Sequence, residues 1–390
     1  MVHYRGLTWE HPRGTNALRA AADAAATPGF SLHWDSHSLE GFESSSIEEL
    51  AERYDLIVLD HPHLGDAAAS NSLRPLTEVF GPEELVALSA DSVGPSYPSY
   101  LFEEQLLALP LDAASQVSAR RADLAGDAPN TWAEVLALSE RVPVALSLAG
   151  PHAFLTFCSL AVALGEEPRV DGAAPLVSRE TGTRVLELMT RLTARAPAGS
   201  ELVNPIGLLE LMATSDTVAY CPLVYGYVNY AQPGSAAGRH PVSFGAAPAE
   251  FPGGRPGSTI GGTGIALSRH CEVTPALLDH LRYLVSADTQ VSFIPQHDGQ
   301  PASRAAWLDA GVNAASGNFY RETLATLDQS WVRPRFAGYT HCQGLASAVI
   351  RAAVTGASGS GHVLAAVDTI FADARAANLA DSTMTPEGQH

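Results

Sequence analysis

The sequence predicts an α/β protein with open, mixed and mostly parallel sheets. Strand and helix patterns alternate over the first 60 residues in the order β-α-β-α-β, which is typical of a parallel sheet. The run "DLIVLD" at residues 55–60 has a continuously apolar centre, which indicates a strand buried on both faces. The chain has 390 residues, of which 46% are hydrophobic, and this length predicts two domains or one bilobed unit.

The N-terminal elements follow from local patterns. Residues 5–9 are predicted to form a strand, and "PRGTNALRAAADAAA" (12–26) has helical spacing. The stretch "FSLHWDS" (30–36) alternates like a second strand. Ser46 and Glu49 form a capping box, which predicts that a helix begins after Ser46.

A second set of elements follows residue 100. The stretch "LFEEQLLALPLDAASQVSARRADL" (101–124) predicts a strand with a proline turn. Thr131 and Glu134 predict a second capped helix. The stretch "PVALSLAG" (143–150) is predicted to be a strand, and a buried helix is expected directly after it.

The C-terminal half is predicted to continue the α/β pattern. The stretch "DTVAYCPLVYGYVNYA" (216–231) predicts a strand that turns into an aromatic-rich helix. The stretch "GGRPGSTIGGTGIALS" (253–268) predicts a glycine-rich loop that leads into a strand. A linker is expected at 355–361, a last helix at 362–378 and a flexible tail at 379–390.

Charge and composition exclude several classes of function. The net charge of −19 disfavours nucleic-acid binding and docking on anionic membranes. All 23 basic residues are arginines, so the chain has no lysine for a Schiff base, for attachment of pyridoxal phosphate or for a P-loop. The long apolar stretch 142–165 is divided by Gly150-Pro151-His152, so direct membrane insertion is not expected.

No cofactor and no metal site is predicted. The four cysteines are far apart and form no C-x-x-C pair, and the H-E-x-x-H pattern is absent. The first ten residues contain no long apolar region and no small-residue cleavage site. The sequence as written therefore predicts a cytoplasmic protein, or an extracytoplasmic one if a signal peptide has been trimmed.

Four segments, in this order, resemble a known family. They are "LPLDAASQVSARRADL" followed by "NTWAEVLAL", then "DTVAYCPL", then "GGTGIALSRH", and finally "LRYLVSADTQVSFIPQHDGQPASRAAW". Together they resemble the extracellular solute-binding proteins of carbohydrate-type ABC importers (family 1), over about residues 97–310. The opening "GLTWEHPRG" resembles the Gly-Leu-Thr-Trp-x-His-Pro-Arg-Gly segment of a signal-less subgroup of that family.

The resemblance implies a two-lobed periplasmic-binding-protein-like II fold, with a ligand cleft between the lobes. It implies that the first lobe comprises residues 1–112 plus 256–305, and the second lobe 113–255 plus 306–378. The chain would cross between the lobes near 111–116 and near 255–260.

Two turns, "TWEHPRG" and "DHPHLG", follow predicted strands and are expected to face the same cleft. Trp9 offers a flat face for a sugar ring or another planar group. Arg13 offers a planar fork for a carboxylate. His11, Asp60, His61 and His63 are candidates for hydrogen bonds to hydroxyl groups or for proton transfer.

Further candidates come from the second predicted lobe and from the crossovers. Aromatic and amide side chains fit a polyol or an aromatic ligand, and glycines allow close approach of the backbone. Asp112 and Gln116 are candidates because of their positions in the resemblance. The remaining candidate ligand-binding residues are Tyr225, Tyr227, Asn229, Gly262, Thr263, Gln300 and Arg304.

Two functions stay open at this point. The first is a solute-binding protein that captures a small polar ligand, carbohydrate-like or carboxylated, for the membrane subunits of an ABC importer. The second is a cytoplasmic, cofactor-free isomerase, lyase or cyclase that uses His11, His61, Asp60 and Glu10 for general acid-base chemistry. Each candidate also has a purely structural interpretation, in which Trp9 and the tyrosines only pack and the histidines only cap helices.

Overall fold

The computed structural model describes residues 2–169, 175–232, 239–356 and 360–384. All five elements expected over the first 60 residues are confirmed, in the order strand, helix, strand, helix, strand. The elements up to the long central strand are β1 (Val2–Trp9), α1 (Pro12–Ala25), β2 (Phe30–His37), α2 (Leu39–Ser44), α3 (Ile47–Arg53), β3 (Leu56–Leu59), α4 (Leu64–Ala69), α5 (Pro82–Asp91), α6 (Ser96–Ser99), β4 (Leu101–Phe102), β5 (Gln105–Leu106) and β6 (Leu109–Arg120).

The described part of the chain after β6 is mainly helical and contains three further strands. Its elements are α7 (Ala122–Ala125), α8 (Trp132–Leu138), α9 (His152–Ala163), α10 (Arg179–Thr193), α11 (Pro205–Thr214), β7 (Tyr220–Tyr225), β8 (Ser243–Gly245), β9 (Ile260–Leu267), α12 (Pro275–Val285), α13 (Ala287–Val291), α14 (Phe293–Gln296), α15 (Arg304–Leu308), α16 (Ala310–Ala315), α17 (Phe319–Asp328), α18 (Tyr339–Val354) and α19 (Ser360–Met384).

Strands β4 and β5 pair only with each other, and the other strands form a mixed sheet in the order β2-β1-β3-β9-β6-β7, with β8 also paired to β6. The first three strands are parallel to one another, and β9 runs antiparallel to both β3 and β6. The long strand β6 pairs with β9 over its first half and with β7 and β8 over its second half. We call β1, β2, β3 and β9 with their helices the first lobe, and β7 and β8 with theirs the second lobe.

The two lobes have separate hydrophobic cores. One core packs both faces of the first lobe, where all four residues of β3 are buried as its apolar run predicts. Two other cores pack the opposite faces of the second half of the sheet. The crossing at β6 fits the expected crossover near 111–116, whereas the exact lobe boundaries stay a prediction.

Several expectations fail for reasons of tertiary pairing. In the second lobe β7 and β8 are antiparallel to β6, so a mostly parallel sheet is wrong there. Residues 143–150 are not a strand, because only Val144 pairs, in a single bridge with Tyr220. Pro110 lies inside β6 instead of at a turn. The aromatic stretch after β7 forms only a short 3₁₀ turn, from Val228 to Tyr230.

The C-terminus also differs from the expectation. The last helix continues to Met384, six residues beyond the end that was expected at residue 378, so the predicted tail 379–390 is partly helical. Residues 385–390 lie outside the described part of the chain, as do residues 357–359 of the predicted linker. None of the described helices is long and apolar enough to cross a membrane.

Candidate ligand-binding cleft

A cavity of about 60 Å³ lies between the lobes, at the carboxyl ends of β1 and β3. Aromatic rings and a few polar groups dominate its wall. The cavity is lined by Trp9, Arg13, Leu39, Phe42, Asp60, Ala114, His152, Pro205, Tyr225, Tyr227, Gly261, Gly262 and Thr263. Seven of the fifteen residues expected at the ligand are therefore brought together in one cavity wall.

The parallel pairing of β1 and β3 explains why Trp9 and Asp60 meet. Trp9 is the last residue of β1 and Asp60 directly follows β3, so both lie at the same edge of the sheet. The Trp9 side chain is buried, and its ring centroid lies 5.5 Å from that of Phe42. The ring also covers Gly14, where an added Cβ would lie 2.5 Å from the indole.

Arg13 and Asp112 form a buried ion pair beside the cavity. The Arg13 and Asp112 side chains are 4% and 5% exposed, Arg13 Nε donates to Asp112 Oδ2 at 2.7 Å, and Arg13 Nη2 donates to Asp112 Oδ1. Burial raises the pKa of the Asp112 carboxyl, and the guanidinium opposes that shift. Because both oxygens accept from the guanidinium, we treat Asp112 as ionised.

Arg13 also connects the two lobes. Its Nη1 donates to the carbonyl oxygen of Gly226 at 2.9 Å, and its Cζ lies 4.5 Å from the centre of the Tyr227 ring. Arg13 begins in the first lobe on α1, whereas Gly226 and Tyr227 follow β7 in the second. Three of the five guanidinium N–H groups therefore donate to protein partners, and the side chain joins the two walls of the cleft.

Asp60 and Arg333 form a second buried ion pair. Arg333 Nη2 donates to Asp60 Oδ2 at 2.5 Å, and Arg333 is 3% exposed. Burial by itself would raise the pKa of the Asp60 carboxyl, but Arg333 and then His61 bring the pKa well below its usual range. The other oxygen, Oδ1, accepts from the backbone N–H of His61 at 2.9 Å, so the carboxylate is fixed at the end of β3.

The three histidines of the two turns lie behind the cavity wall. His11 is the N-cap of α1, its Nδ1 accepts from the backbone N–H of Arg13 at 3.1 Å, and its ring meets Tyr227 edge-on at 4.8 Å. Burial, followed by the charge of Arg13, lowers the pKa of His11 to about 4. Burial, followed by Arg333, lowers the pKa of His61 to about 4, and burial also lowers the pKa of His63.

Three of the candidate residues carry side-chain amides that lie outside the cavity wall and hydrogen-bond to neighbouring segments. Gln300 accepts from the backbone N–H of Val228 at 3.1 Å and donates to the carbonyl of Ala113 at 2.7 Å. Gln116 accepts from the Ser159 hydroxyl at 2.6 Å. Asn229 Nδ2 donates to the carbonyl oxygen of Asp298 at 3.0 Å. These amides hold strands and turns together, and ligand contact by them stays a prediction.

Gly262 and Thr263 have different roles at the cavity. Gly262 has φ +94°, and a Cβ there would lie 2.4 Å from the carbonyl oxygen of Asp112, so strand pairing itself requires a glycine. The Thr263 side chain lines the cavity, and its Oγ1 is buried without a hydrogen-bond partner among the described residues. This hydroxyl is the cavity's clearest free hydrogen-bonding group.

Two candidates lie away from the cavity. Arg304 does not line the cavity, and its Nη1 donates to the Asp328 carboxylate at 3.2 Å, with both side chains about one-third exposed. Ligand contact by Arg304 stays a prediction. Glu10 is exposed and does not line the cavity, and its backbone N–H donates to the carbonyl of His37 at 2.7 Å.

Six residues of the cavity wall were not among the sequence candidates, namely Leu39, Phe42, Ala114, His152, Pro205 and Gly261, and neither was Arg333, which pairs with Asp60. Arg333 pairs with Asp60 across 273 positions, and nothing in "WVRPRF" signals that partner. His152 lines the cavity as the first residue of α9. The "GPH" turn marked the start of this helix in the sequence, and recognising that helix starts can border a cleft would have drawn attention to His152. No group of three or more potential metal ligands occurs in the described part of the chain.

No protein-family profile matches the chain, and no curated protein sequence matches it. Solved structures do match over nearly the whole length. An ABC transporter solute-binding protein from Agrobacterium radiobacter K84 in complex with ribitol has a TM-score of 0.80 at 18% identity, covering 96% of this chain and 98% of that one.

Two further structures show the same likeness. A solute-binding protein from Agrobacterium vitis S4 with bound D-mannitol has a TM-score of 0.74 at 16% identity, covering 96% of this chain and 99% of that one. Maltose-bound MalE3 from T. maritima has a TM-score of 0.75 at 15% identity, covering 95% and 99%. The predicted two-lobed, periplasmic-binding-protein-like II fold is thereby confirmed.

Proposed function

We propose that this protein is a solute-binding protein that closes its lobes on a small, uncharged, polyhydroxylated ligand. The observation that carries the proposal is the composition of the interlobe cavity. Aromatic rings line the cavity, and the Thr263 hydroxyl there has no hydrogen-bond partner among the described residues. The two nearby arginines, Arg13 and Arg333, are each paired with an aspartate. Sites of this kind bind polyols and sugars through ring faces and a few directed hydrogen bonds.

The charges of the cleft favour a neutral ligand over a carboxylated one. Arg13 is paired with Asp112, and Arg333 is paired with Asp60. Binding a carboxylate would require one arginine to leave its buried partner, and the abandoned aspartate would then be a buried unpaired charge. Of the two ligand types expected from the sequence, the carbohydrate-like one therefore fits these pairs better.

The size of the cavity favours a ligand no larger than one sugar ring. A volume of about 60 Å³ is well below the range of about 300–1,000 Å³ that is usual for small-molecule sites, so the lobes have to part to admit even one sugar ring, and an oligosaccharide would need still more space. The two Agrobacterium proteins with this fold hold ribitol and D-mannitol, which are acyclic polyols. We therefore place polyols and monosaccharides ahead of maltose, the ligand of the T. maritima protein.

The proposal extends to partners and location. Delivery to the membrane subunits of an ABC importer requires that the protein work on the outer side of the membrane. The four segments between residues 97 and 310 support assignment to family 1, and "GLTWEHPRG" supports the subgroup that opens with this segment. The cleft disfavours the enzymatic alternative, because Asp60 lines the cavity but is paired with Arg333, and His11, His61 and Glu10 do not line it.

Calorimetric titration tests this function. The protein is first unfolded and refolded to remove retained ligand, and is then titrated with ribitol, D-mannitol, glucose, maltose and glucuronate. We expect saturable binding of a polyol or monosaccharide, and at least tenfold weaker binding of maltose and glucuronate. Absence of binding to every neutral polyol and sugar, or preference for glucuronate, would contradict the proposal.

Two variants test whether the ligand binds in this cavity. Thr263→Val removes the unpartnered hydroxyl without breaking a hydrogen bond in the free protein, so stability is expected to be kept while affinity falls about tenfold. Ser303→Ala is the matched control, because the Ser303 hydroxyl is also buried without a partner but does not line the cavity. Equal affinity in both variants would place the ligand elsewhere.

A further inference from the structure

We propose a second binding site, at the far end of the first lobe, for a small neutral aromatic molecule that carries one hydrogen-bonding group. The site is a cavity of about 460 Å³ between α1, α12 and the start of β2. Its volume lies within the range of about 300–1,000 Å³ that is usual for small-molecule sites. The first cavity, between the lobes, is much smaller at about 60 Å³.

The second cavity is remote from the cleft. Phe30 lines it and pairs with Val2 at the beginning of β1, whereas Trp9 lines the cleft at the end of that strand. Seven residues of extended chain separate the two ends, which corresponds to about 23 Å. A molecule bound here would not touch the cleft, so this proposal does not depend on the proposed function.

Small side chains on two helices create the space. Ala21, Ala24 and Ala25 form the wall on α1, and Ala276 belongs to the facing wall on α12. Ala21 is buried, whereas Ala24 and Ala276 are exposed, so the small side chains leave an open groove that a planar molecule can fill. Such a molecule would contact apolar atoms on both sides.

Aromatic rings form the remaining walls. Phe30 is 3% exposed, and the His280 ring lies 5.5 Å from it at an interplanar angle of 44°. Tyr283 lines the mouth and is 41% exposed, with its ring 5.6 Å from that of Phe293. Tilted and edge-on geometries at these separations favour another aromatic ring as the occupant.

His280 supplies the evidence for a hydrogen-bonding group on the ligand. The side chain lines the cavity, the residue is 4% exposed, and neither ring nitrogen has a partner among the described residues. Burial lowers the pKa of His280 to about 4, so the ring is neutral at pH 7 and offers one donor and one acceptor. A buried group of this kind is costly when unsatisfied, and a hydroxyl or ring N–H on the ligand would satisfy it.

The charges at the mouth are already paired. Asp279 lines the cavity and accepts from Arg282 at 3.2 Å, and Arg282 also binds Glu84 at 2.6 Å. The described lining residues carry no unpaired charge that would attract an ion, so the proposed ligand is neutral. Phenol and indole are the simplest probes of this class, and toluene is the matched probe that lacks the hydrogen-bonding group.

The test is saturation-transfer NMR with a competition titration on the full chain. We expect saturable binding of phenol or indole, and at least tenfold weaker binding of toluene. Ala24→Leu fills the cavity from an exposed helix position and is expected to weaken indole binding at least tenfold. Ala90→Leu is the control, because Ala90 is exposed on another helix and does not line the cavity.

A second variant tests the hydrogen bond. His280→Leu is expected to bring the affinities for phenol and toluene together, because the polar partner is lost while the apolar wall stays. The proposal is overturned by lack of saturable binding at millimolar phenol and indole, or by equal indole affinity in Ala24→Leu and Ala90→Leu. Failure of polyol binding with intact indole binding would contradict only the function proposed for the cleft.

Discussion

The buried pair Arg13–Asp112 gives the sharpest prediction for stability. Asp112→Asn removes the negative charge but keeps the size and one hydrogen-bond acceptor. Arg13 then remains a buried cation whose other partners are the Gly226 carbonyl and the Tyr227 ring. The variant removes the carboxylate that offset the free-energy cost of burying the guanidinium. Neither remaining partner carries a full charge, so neither can replace that carboxylate.

The structure sets the size of this effect. With side chains 4% and 5% exposed, solvent does not screen the pair. Breaking a buried pair by removing one partner costs about 3–5 kcal/mol. We place Asp112→Asn near the lower end, at about 3 kcal/mol, because the new amide oxygen still accepts from Arg13. Replacing both residues, as Arg13→Met with Asp112→Leu, is expected to restore most of the stability, since no unpaired charge remains.

Urea unfolding followed by circular dichroism measures this change. With a slope of about 3 kcal/mol per M, a loss of about 3 kcal/mol lowers the midpoint by about 1 M. The control is Asp328→Asn, which breaks the exposed pair with Arg304 and is expected to change stability by less than about 1 kcal/mol. The reasoning is refuted if Asp112→Asn behaves like Asp328→Asn, or if the double variant is as unstable as the single one.

Three further predictions concern titration, capping and backbone conformation. His11, His61 and His280 have pKa values lowered to about 4 in the folded protein, so stability should fall as the pH drops from about 6.5 to 4, by at most about 3 kcal/mol per histidine. Urea midpoints between pH 7 and pH 4 measure this, and a flat profile would contradict it. Thr131→Ala removes the N-cap of α8 and should cost about 1 kcal/mol by the same assay, unlike a substitution on an exposed helix face. Gly262→Ala should cost more, about 3 kcal/mol, because of the positive φ and a clash with a carbonyl oxygen of the neighbouring strand; a change below 1 kcal/mol would show that the strand relaxes.

The sequence predicted the elements whose signals are local. Thr131 and Glu134 identified the start of α8, and both partners of that capping box are present in the structure. The apolar run at residues 56–59 identified β3, whose residues are all buried. Because parallel strands share an edge, the order of elements also predicted that Trp9 and Asp60 would lie together.

Tertiary structure decided what depends on partners far away in the chain. The sequence could not show that Asp60 pairs with Arg333, because an ion pair across 273 positions leaves no local pattern. For the same reason the strand predicted at residues 143–150 is wrong, because only one residue of this segment forms a β-bridge, and its partner is distant in the sequence. Strand direction in the second lobe was equally a matter of long-range pairing.

The properties of the cleft depend partly on local sequence and partly on tertiary structure. The sequence by itself determined which rings and polar groups are available at the ends of β1 and β3. The fold alone decided which of them stay free, because burial and pairing occupied Arg13 and Asp60 and left the Thr263 hydroxyl without a partner among the described residues. Whether a polar group can serve a ligand depends on the charges and donors packed around it, and residues distant in sequence supply those.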